Sequence, residues 1–190
     1  RDGGREWTRQ LGTSSDDVGY GVAVDTSGNI YVAGYTSGGL NGNDAGGGVD
    51  ILLVKFTSSG GREWTRQFGT ALDDLGYGVA VSVSGNVYLT GYTRGVFDGN
   101  DAGGGADIFL AKFTSDGGRE WTRQFGTSSD EVGYDVAVDT SGNAYVTGYT
   151  WGALDGNDAG GGIDIFLTKF TSDGGQEWTR QLGTSAGDIG

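Results

Sequence analysis

The chain is expected to be all-β, built from tandem four-stranded antiparallel blades, and three observations lead there. A phrase reading Glu-Trp-Thr-Arg-Gln, then Leu or Phe, then Gly-Thr holds Trp7, Trp64, Trp121 and Trp178, so the chain repeats every 57 residues. Residues 13–69 and 70–126 differ at only 16 of 57 positions, which makes them copies of one unit. A period of that length marks supersecondary units that stack because none can bury its apolar faces alone. Second, apolar residues alternate with a period of two, and no stretch has the 3.6 spacing of an amphipathic helix. Third, the 41 glycines recur at fixed places in each unit, as turns and close backbone approaches require, where a flexible linker would scatter them.

Within residues 13–69 the elements follow in order. Tyr20 to Val24 alternates large and small residues as a first strand. Asp25-Thr26-Ser27-Gly28-Asn29 is a turn of residues that tolerate positive φ or bond their own backbone. Ile30 to Thr36 is β-branched and aromatic, so the first two strands form a hairpin. A longer loop ends in Asp44-Ala45-Gly46-Gly47-Gly48. Asp50 to Thr57 is then apolar on both faces, Ile51 and Leu53 on one and Leu52, Val54 and Phe56 on the other, which implies burial on both sides. Ser58-Ser59-Gly60-Gly61 turns the chain into Arg62 to Gly69, where Trp64, Arg66 and Phe68 alternate with Glu63, Thr65 and Gln67, as in an outer strand with one wetter face. Four such strands make one blade of a β-propeller, sandwiched between its neighbours. A β-helix, the other repeat architecture, would want shorter coils in parallel pairing, and the hairpin turn at Ser27-Gly28-Asn29 counts against it.

The chain divides accordingly into a partial unit at 1–12, the outer strand of a preceding blade, three blades at 13–69, 70–126 and 127–183, and the start of a further unit at 184–190. Three blades fall short of the roughly four to eight that close a ring. Bare apolar faces at each end invite pairing. A larger assembly is therefore expected: a six-bladed ring from two copies, a longer tandem array, or an open fibre stacked end to end.

Composition excludes several classes. With 12 basic and 25 acidic residues the net charge is −13, against a nucleic-acid partner, because phosphate binding needs clustered Lys and Arg. The third unit is the most acidic, with 9 acidic and 2 basic residues. No apolar run approaches the roughly 18 residues of a membrane span. The lack of cysteine removes disulfides and thiol chemistry, and without histidine too the common nucleophile and base pairings are absent. Lys55, Lys112 and Lys169 fall once per unit inside the third strand, where a structural role is expected. No enzyme is expected.

The phrases GTSSDDVGYGVAVDTSGNIYVAGYT at 12–36, GTALDDLGYGVAVSVSGNVYLTGYT at 69–93 and GTSSDEVGYDVAVDTSGNAYVTGYT at 126–150 resemble the bacterial SBBP-type β-propeller repeat. With the second half of each unit the likeness spans nearly the whole chain. The resemblance implies a secreted or cell-surface module, often in long tandem arrays, with no common enzymatic activity. One departure is the loop between second and third strands, which here is rich in Asp and Gly.

That loop reads NGNDAGGGVD at 41–50, DGNDAGGGAD at 98–107 and DGNDAGGGID at 155–164. Calcium wants six to eight oxygens, roughly, from carboxylates, amides and carbonyls on a flexible loop. Asp98, Asn100, Asp101 and Asp107 could supply four, Asp155, Asn157, Asp158 and Asp164 the equivalent four, and Asn43, Asp44 and Asp50 with Asn41 a weaker set. The spacing is not that of the helix-flanked calcium loop, and a rigid turn in which Asp and Asn cap backbone amides is the other reading. Ca2+ is the one cofactor expected.

A second acidic pair, Asp16-Asp17, Asp73-Asp74 and Asp130-Glu131, precedes the first strand, and its triplication favours a polar loop bonding backbone amides over an active site. The four repeated tryptophans suit packing between blades. Trp151 differs: it stands where the other units have Ser37 and Arg94, and Trp151 with Arg94 are the candidate ligand contacts. The function expected is a non-enzymatic extracellular structural or adhesive scaffold whose partners are further copies of itself or further repeats. Its alternative is a carbohydrate-binding lectin for surface glycans, using Trp151, Arg94 and Asp98.

Overall fold

A computed structural model describes residues 3–40, 42, 47–99, 103–157, 160–184 and 187–188. It holds twelve strands among the described residues: β1 (Asp17–Val24), β2 (Ile30–Thr36), β3 (Asp50–Phe56), β4 (Arg62–Phe68), β5 (Asp74–Val81), β6 (Val87–Thr93), β7 (Asp107–Phe113), β8 (Arg119–Phe125), β9 (Glu131–Val138), β10 (Ala144–Thr150), β11 (Asp164–Phe170) and β12 (Gln176–Leu182). They form three four-stranded sheets in which each strand pairs with the next, antiparallel throughout. The expected all-β architecture of tandem blades is what forms. A 3-10 turn, Leu154–Gly156, interrupts the third blade's long loop.

The hairpin turns form as their residues dictate. Asp25 accepts from the amides of Ser27 and Asn29 at 2.9 Å each, and Gly28 takes a φ of 80° that its lack of a Cβ permits. The two apolar faces of the third strand separate as expected. Ile51 and Leu53 join Val79, Val87, Leu89, Phe109, Ala111 and Phe113 between the first and second blades, while Leu52 and Val54 gather with Leu40, Leu11 and Phe56 on the other side. Ile108 and Leu110 repeat the arrangement against Val136, Ala144, Val146, Phe166 and Phe170 of the third blade.

Two expectations are corrected. The first strand begins at Asp17, three residues earlier than Tyr20, because Asp17, Val18 and Gly19 already pair with Thr36, Tyr35 and Gly34. The fourth strand's wetter face is dry at its centre, where Thr65, Thr122 and Thr179 are buried beside Val54, Ala111 and Thr168 on the neighbouring strand. Of the partial unit at 1–12, the described residues 3–12 enter no sheet. They lie against the first blade, with Trp7 Nε1 donating to Ser58 O at 3.2 Å.

The blades meet most closely at their first strands, β1 beside β5 and β5 beside β9. Glycine makes that approach possible: a Cβ on Gly21 would stand 2.3 Å from Tyr77 O, and one on Gly78 would stand 2.7 Å from Asp135 Cα. At the equivalent position of β9 the residue is Asp135.

Candidate functional site

The acidic residues expected as metal ligands divide by place. Asp50, Asp107 and Asp164 open the third strand of each blade and are buried, and each accepts from a fourth-strand glutamine: Gln67 at 2.9 Å, Gln124 at 2.8 Å and Gln181 at 2.8 Å. Those glutamines also hold the loop before the strand, their Oε1 accepting from the amides of Leu40, Phe97 and Leu154 at 2.9, 2.9 and 3.0 Å. An Asp–Gln clamp thus closes each blade, the amide-capping role that competes with calcium for these carboxylates.

Asp98 and Asp155 sit elsewhere on the loop, in the left-handed region at φ 50° and 52°. Asp98 pairs with Arg119 at 3.1 Å, while Asp155 accepts from Gln176 and Thr179. Asn157 donates to Leu154 O at 2.6 Å. The structure therefore turns Asp98 and Asp107 to different partners, and among the described residues no three acidic side chains converge as a metal would need. Asn43, Asp44, Asn100, Asp101 and Asp158 lie outside the described residues.

The second acidic pair knits one blade to the next. Asp73 Oδ1 accepts from Val49 N at 3.2 Å and Asp130 Oδ1 from Ala106 N at 2.9 Å, both across the blade boundary. Asp74 accepts from the amide and hydroxyl of Thr70, and Glu131 does so from Thr127 at 2.6 and 2.7 Å. Burial raises the Asp74 carboxyl above its ordinary 3.8, outweighing the bonds from Thr93 and Thr70. At Asp17 burial also pushes upward, but the bonds from Thr13 and Thr36 prevail and the pKa is lowered.

A cluster of six tyrosines collects where the first strands converge. Tyr20, Tyr77 and Tyr134 are each the unpaired residue of a β-bulge, flanked by Gly19 and Gly21, by Gly76 and Gly78, and by Gly133 and Asp135. A bulge bends the strand and re-aims one side chain, and such features gather beside functional sites. Here they bring the rings of Tyr20 and Tyr77 to 4.7 Å and those of Tyr77 and Tyr134 to 5.6 Å. Tyr35, Tyr92 and Tyr149 of the second strands flank them at 5.9, 6.1 and 5.6 Å. The Tyr77 hydroxyl is pushed up to about 12, by burial first and then by Tyr92, Tyr20 and Tyr134. It stays protonated at neutral pH, so Tyr77 offers an uncharged ring face and hydroxyl at the centre of the cluster. The signal that could have found it is the Gly-Tyr-Gly triplet, an extra residue hinged between two glycines.

The two expected contact residues stand on neighbouring blades, and Arg94 borders this cluster. Arg94 lies over the Tyr92 ring at 5.8 Å, its amide bonded to Asp73 O at 3.0 Å. Trp151 is 51% exposed, its amide bonded to Asp130 O at 3.2 Å, and it shares a shallow groove with Gly105, Ser128, Ser129 and Asp130. The structure anchors each separately.

The basic side chains of the third and fourth strands make structural contacts. Lys55 pairs with Glu63 at 2.8 Å and donates to Ser115 O at 3.1 Å in the next blade, and Lys112 repeats this with Glu120 and Ser172. Arg66 lies over Trp64 at 5.1 Å and its Nε donates to Gly117 O at 2.6 Å.

A family model described as beta-propeller repeat matches residues 6–41, 63–98 and 120–154, more than half of the chain. The chain belongs to the SBBP beta-propeller repeat family. Among curated proteins this SBBP chain is 26% identical over 164 residues to the regulatory protein FlaEY of Caulobacter vibrioides. It is 24% identical over 185 residues to an uncharacterized WD repeat-containing protein, L264, of Acanthamoeba polyphaga mimivirus. Those matches cover 78% and 77% of the SBBP chain but only 17% and 13% of the relatives' length. A crystal structure of a protein of unknown function from Bacteroides caccae shares the fold, with a TM-score of 0.52 and 12% identity over 93% of the SBBP chain and 50% of its own. No helix among the described residues is long and apolar enough to cross a membrane.

Proposed function

We propose that this chain is a non-enzymatic, extracellular structural scaffold that works by stacking its blades against further blades. One observation carries the reading: the face that meets the next blade inside the molecule is repeated, uncovered, on the third blade. Leu53 and Leu110 are fully buried by the following blade, whereas Leu167 at the same position of the third blade is 40% exposed. Repeat proteins bury such faces with neighbours, and an uncovered one is a joining surface. Light scattering across a range of concentrations tests it: growth of assemblies with concentration is expected, and a monomer throughout overturns the reading. The extracellular location rests on the family resemblance and is checked by fractionating the source cells. Calcium on the loops 98–107 and 155–164 is an addition that rests on their composition alone. A melting temperature raised by calcium and lowered by chelator supports it, and an unchanged melt removes it.

A second reading, a glycan-binding module, is favoured by the tyrosine cluster and by the exposed indole of Trp151, since aromatic faces stack on sugar rings. Saturable binding on a glycan array, lost in Trp151→Ala or Tyr20→Ala, is the expected result. Binding unaffected by both substitutions removes it.

A further inference from the structure

We propose that Tyr20 and Tyr77 are a site of oxidative coupling, at which a peroxide-driven one-electron oxidant joins the two phenol rings carbon to carbon and so staples the first blade to the second.

Geometry singles out this pair among the nine tyrosines of the chain. Tyr20 and Tyr77 belong to different blades, 57 residues apart, yet their ring centroids lie 4.7 Å apart with the planes tilted by 51°. That is close to the spacing of two rings joined by a single bond, so coupling asks for only a small shift of two side chains. The strands beneath hold them in place. Each tyrosine is the extra residue of its bulge, and Gly21 lets β1 lie so close to β5 that a Cβ on it would stand 2.3 Å from Tyr77 O. The other ring separations in the cluster run from 5.6 to 6.1 Å. An electron vacancy created on any of the six rings therefore passes among them and is trapped at the pair close enough to bond.

Composition leaves such an oxidant few other targets. Cysteine and methionine are the side chains that peroxides ordinarily consume, and the chain has neither. Tryptophan is the competing electron donor. Trp64 and Trp121 lie against Tyr31 and Tyr88, at 6.0 and 6.1 Å, and those tyrosines are outside the cluster. Tyr77 has a blade packed on either side and is still only half-buried, so it is open to solvent and to a small oxidant. Its hydroxyl, pushed up to about 12, keeps its proton until the electron is taken. Without cysteine the blades have no disulfide to tie them, and a bond between tyrosines at the converging first strands supplies a tie of the same kind.

The step balances. Each phenol gives up one electron and one proton and becomes a neutral phenoxyl radical. The two radicals form one bond between ring carbons ortho to the oxygens, and the hydrogens on those carbons move to the oxygens, which restores both phenols. The two electrons and two protons released reduce one hydrogen peroxide to two waters. The chain loses two hydrogen atoms and gains a closed loop from residue 20 to residue 77. Such a loop restricts the unfolded chain and so favours the folded one.

Treating the full 190-residue chain with a haem peroxidase and hydrogen peroxide tests the site, with melting curves on the untreated variants to confirm that each folds. The expected product is a single chain lighter by two hydrogen atoms, with the fluorescence of coupled phenols. After trypsin it is expected to give one fragment joining residues 10–55 to residues 67–94. The yield per chain is expected not to change with protein concentration. Tyr77→Phe is expected to cut that yield at least about tenfold, because neighbouring rings react at an effective concentration far above that of separate chains. Tyr31→Phe, outside the cluster, is expected to leave it unchanged. The coupled chain is expected to melt at a higher temperature than the untreated one, a gain that Tyr77→Phe does not show after the same treatment. Links that form only between chains, or a Tyr77→Phe variant that yields as much of the joined fragment as wild type, overturn the pairing. A joined fragment with an unchanged melt overturns the staple.

Discussion

Leu110 and Leu167 hold the same position in the repeat, on the same face of the third strand, and differ in whether another of the three described blades packs on them. Leu110 is sealed among Val136, Val146 and Phe166, and Leu167 looks out of the last sheet. The same contrast separates Gly78, wedged against β9, from Asp135, whose side chain meets no further first strand. In this chain the neighbour, more than the residue, decides what a position contributes. A stability map of the three blades is therefore expected to be asymmetric even though their sequences are nearly alike.

The largest expected asymmetry is in the core. Leu110→Ala should cost about 2 to 5 kcal/mol, transfer plus cavity, because the site is closed on both sides. Leu167→Ala should cost well under about 1 kcal/mol in the isolated chain, as surface changes do. Denaturant titration reads both, and equal losses would mean that the third blade's face is covered in solution. If it is covered by a second copy, the loss at Leu167 will depend on protein concentration.

A smaller effect is expected at the axis. Gly21→Ala places a methyl group 2.3 Å from Tyr77 O, a clash that only separation of β1 from β5 relieves. The cost should be about 1 to 3 kcal/mol, in the range of overpacked cores. Because the separation pulls Tyr20 from Tyr77, near-ultraviolet circular dichroism should change with it. A stable variant with an unaltered tyrosine signal would show that the first strands are looser than their glycines imply.

Much of this was legible in the sequence because one unit of 57 residues was written three times. The alternation of Ile51 and Leu53 against Leu52 and Val54 announced two buried faces, and both faces formed. The bulges were not legible: Gly-Tyr-Gly reads as plain alternation until the register with β2 shows that Tyr20 has no partner. The acidic loop was legible as chemistry but ambiguous as function. Asp107 has the composition of a calcium ligand and also accepts from Gln124, 17 residues away and on another strand, a partner that spacing alone does not announce. Composition reports which atoms are available, while pairing across strands decides where they go.

The subtlest expected difference lies between Asp17 and Asp74, equivalent residues that both accept from a threonine four positions earlier. Asp74 is enclosed by the first blade and Asp17 is not. Hydrogen bonds hold the Asp17 carboxyl below its ordinary 3.8, so its contribution is present above that value and fades as pH falls through the lowered one. Burial holds Asp74 above 3.8, so its favourable form is the neutral one, complete below 3.8 and lost as pH rises through the raised value. At pH 7 the charge on Asp74 is a cost and the charge on Asp17 a gain. Asp17→Asn should therefore lower the melting temperature at pH 7 more than Asp74→Asn does, since an amide oxygen still accepts from Thr70. As the pH is brought toward 3 the ionised advantage of Asp17 and the ionised penalty of Asp74 both shrink, and the two variants should converge. Calorimetry between pH 7 and pH 3 measures the gap, and a gap of opposite sign at pH 7 would mean that the Asp74 carboxylate is better solvated than its enclosure between blades implies.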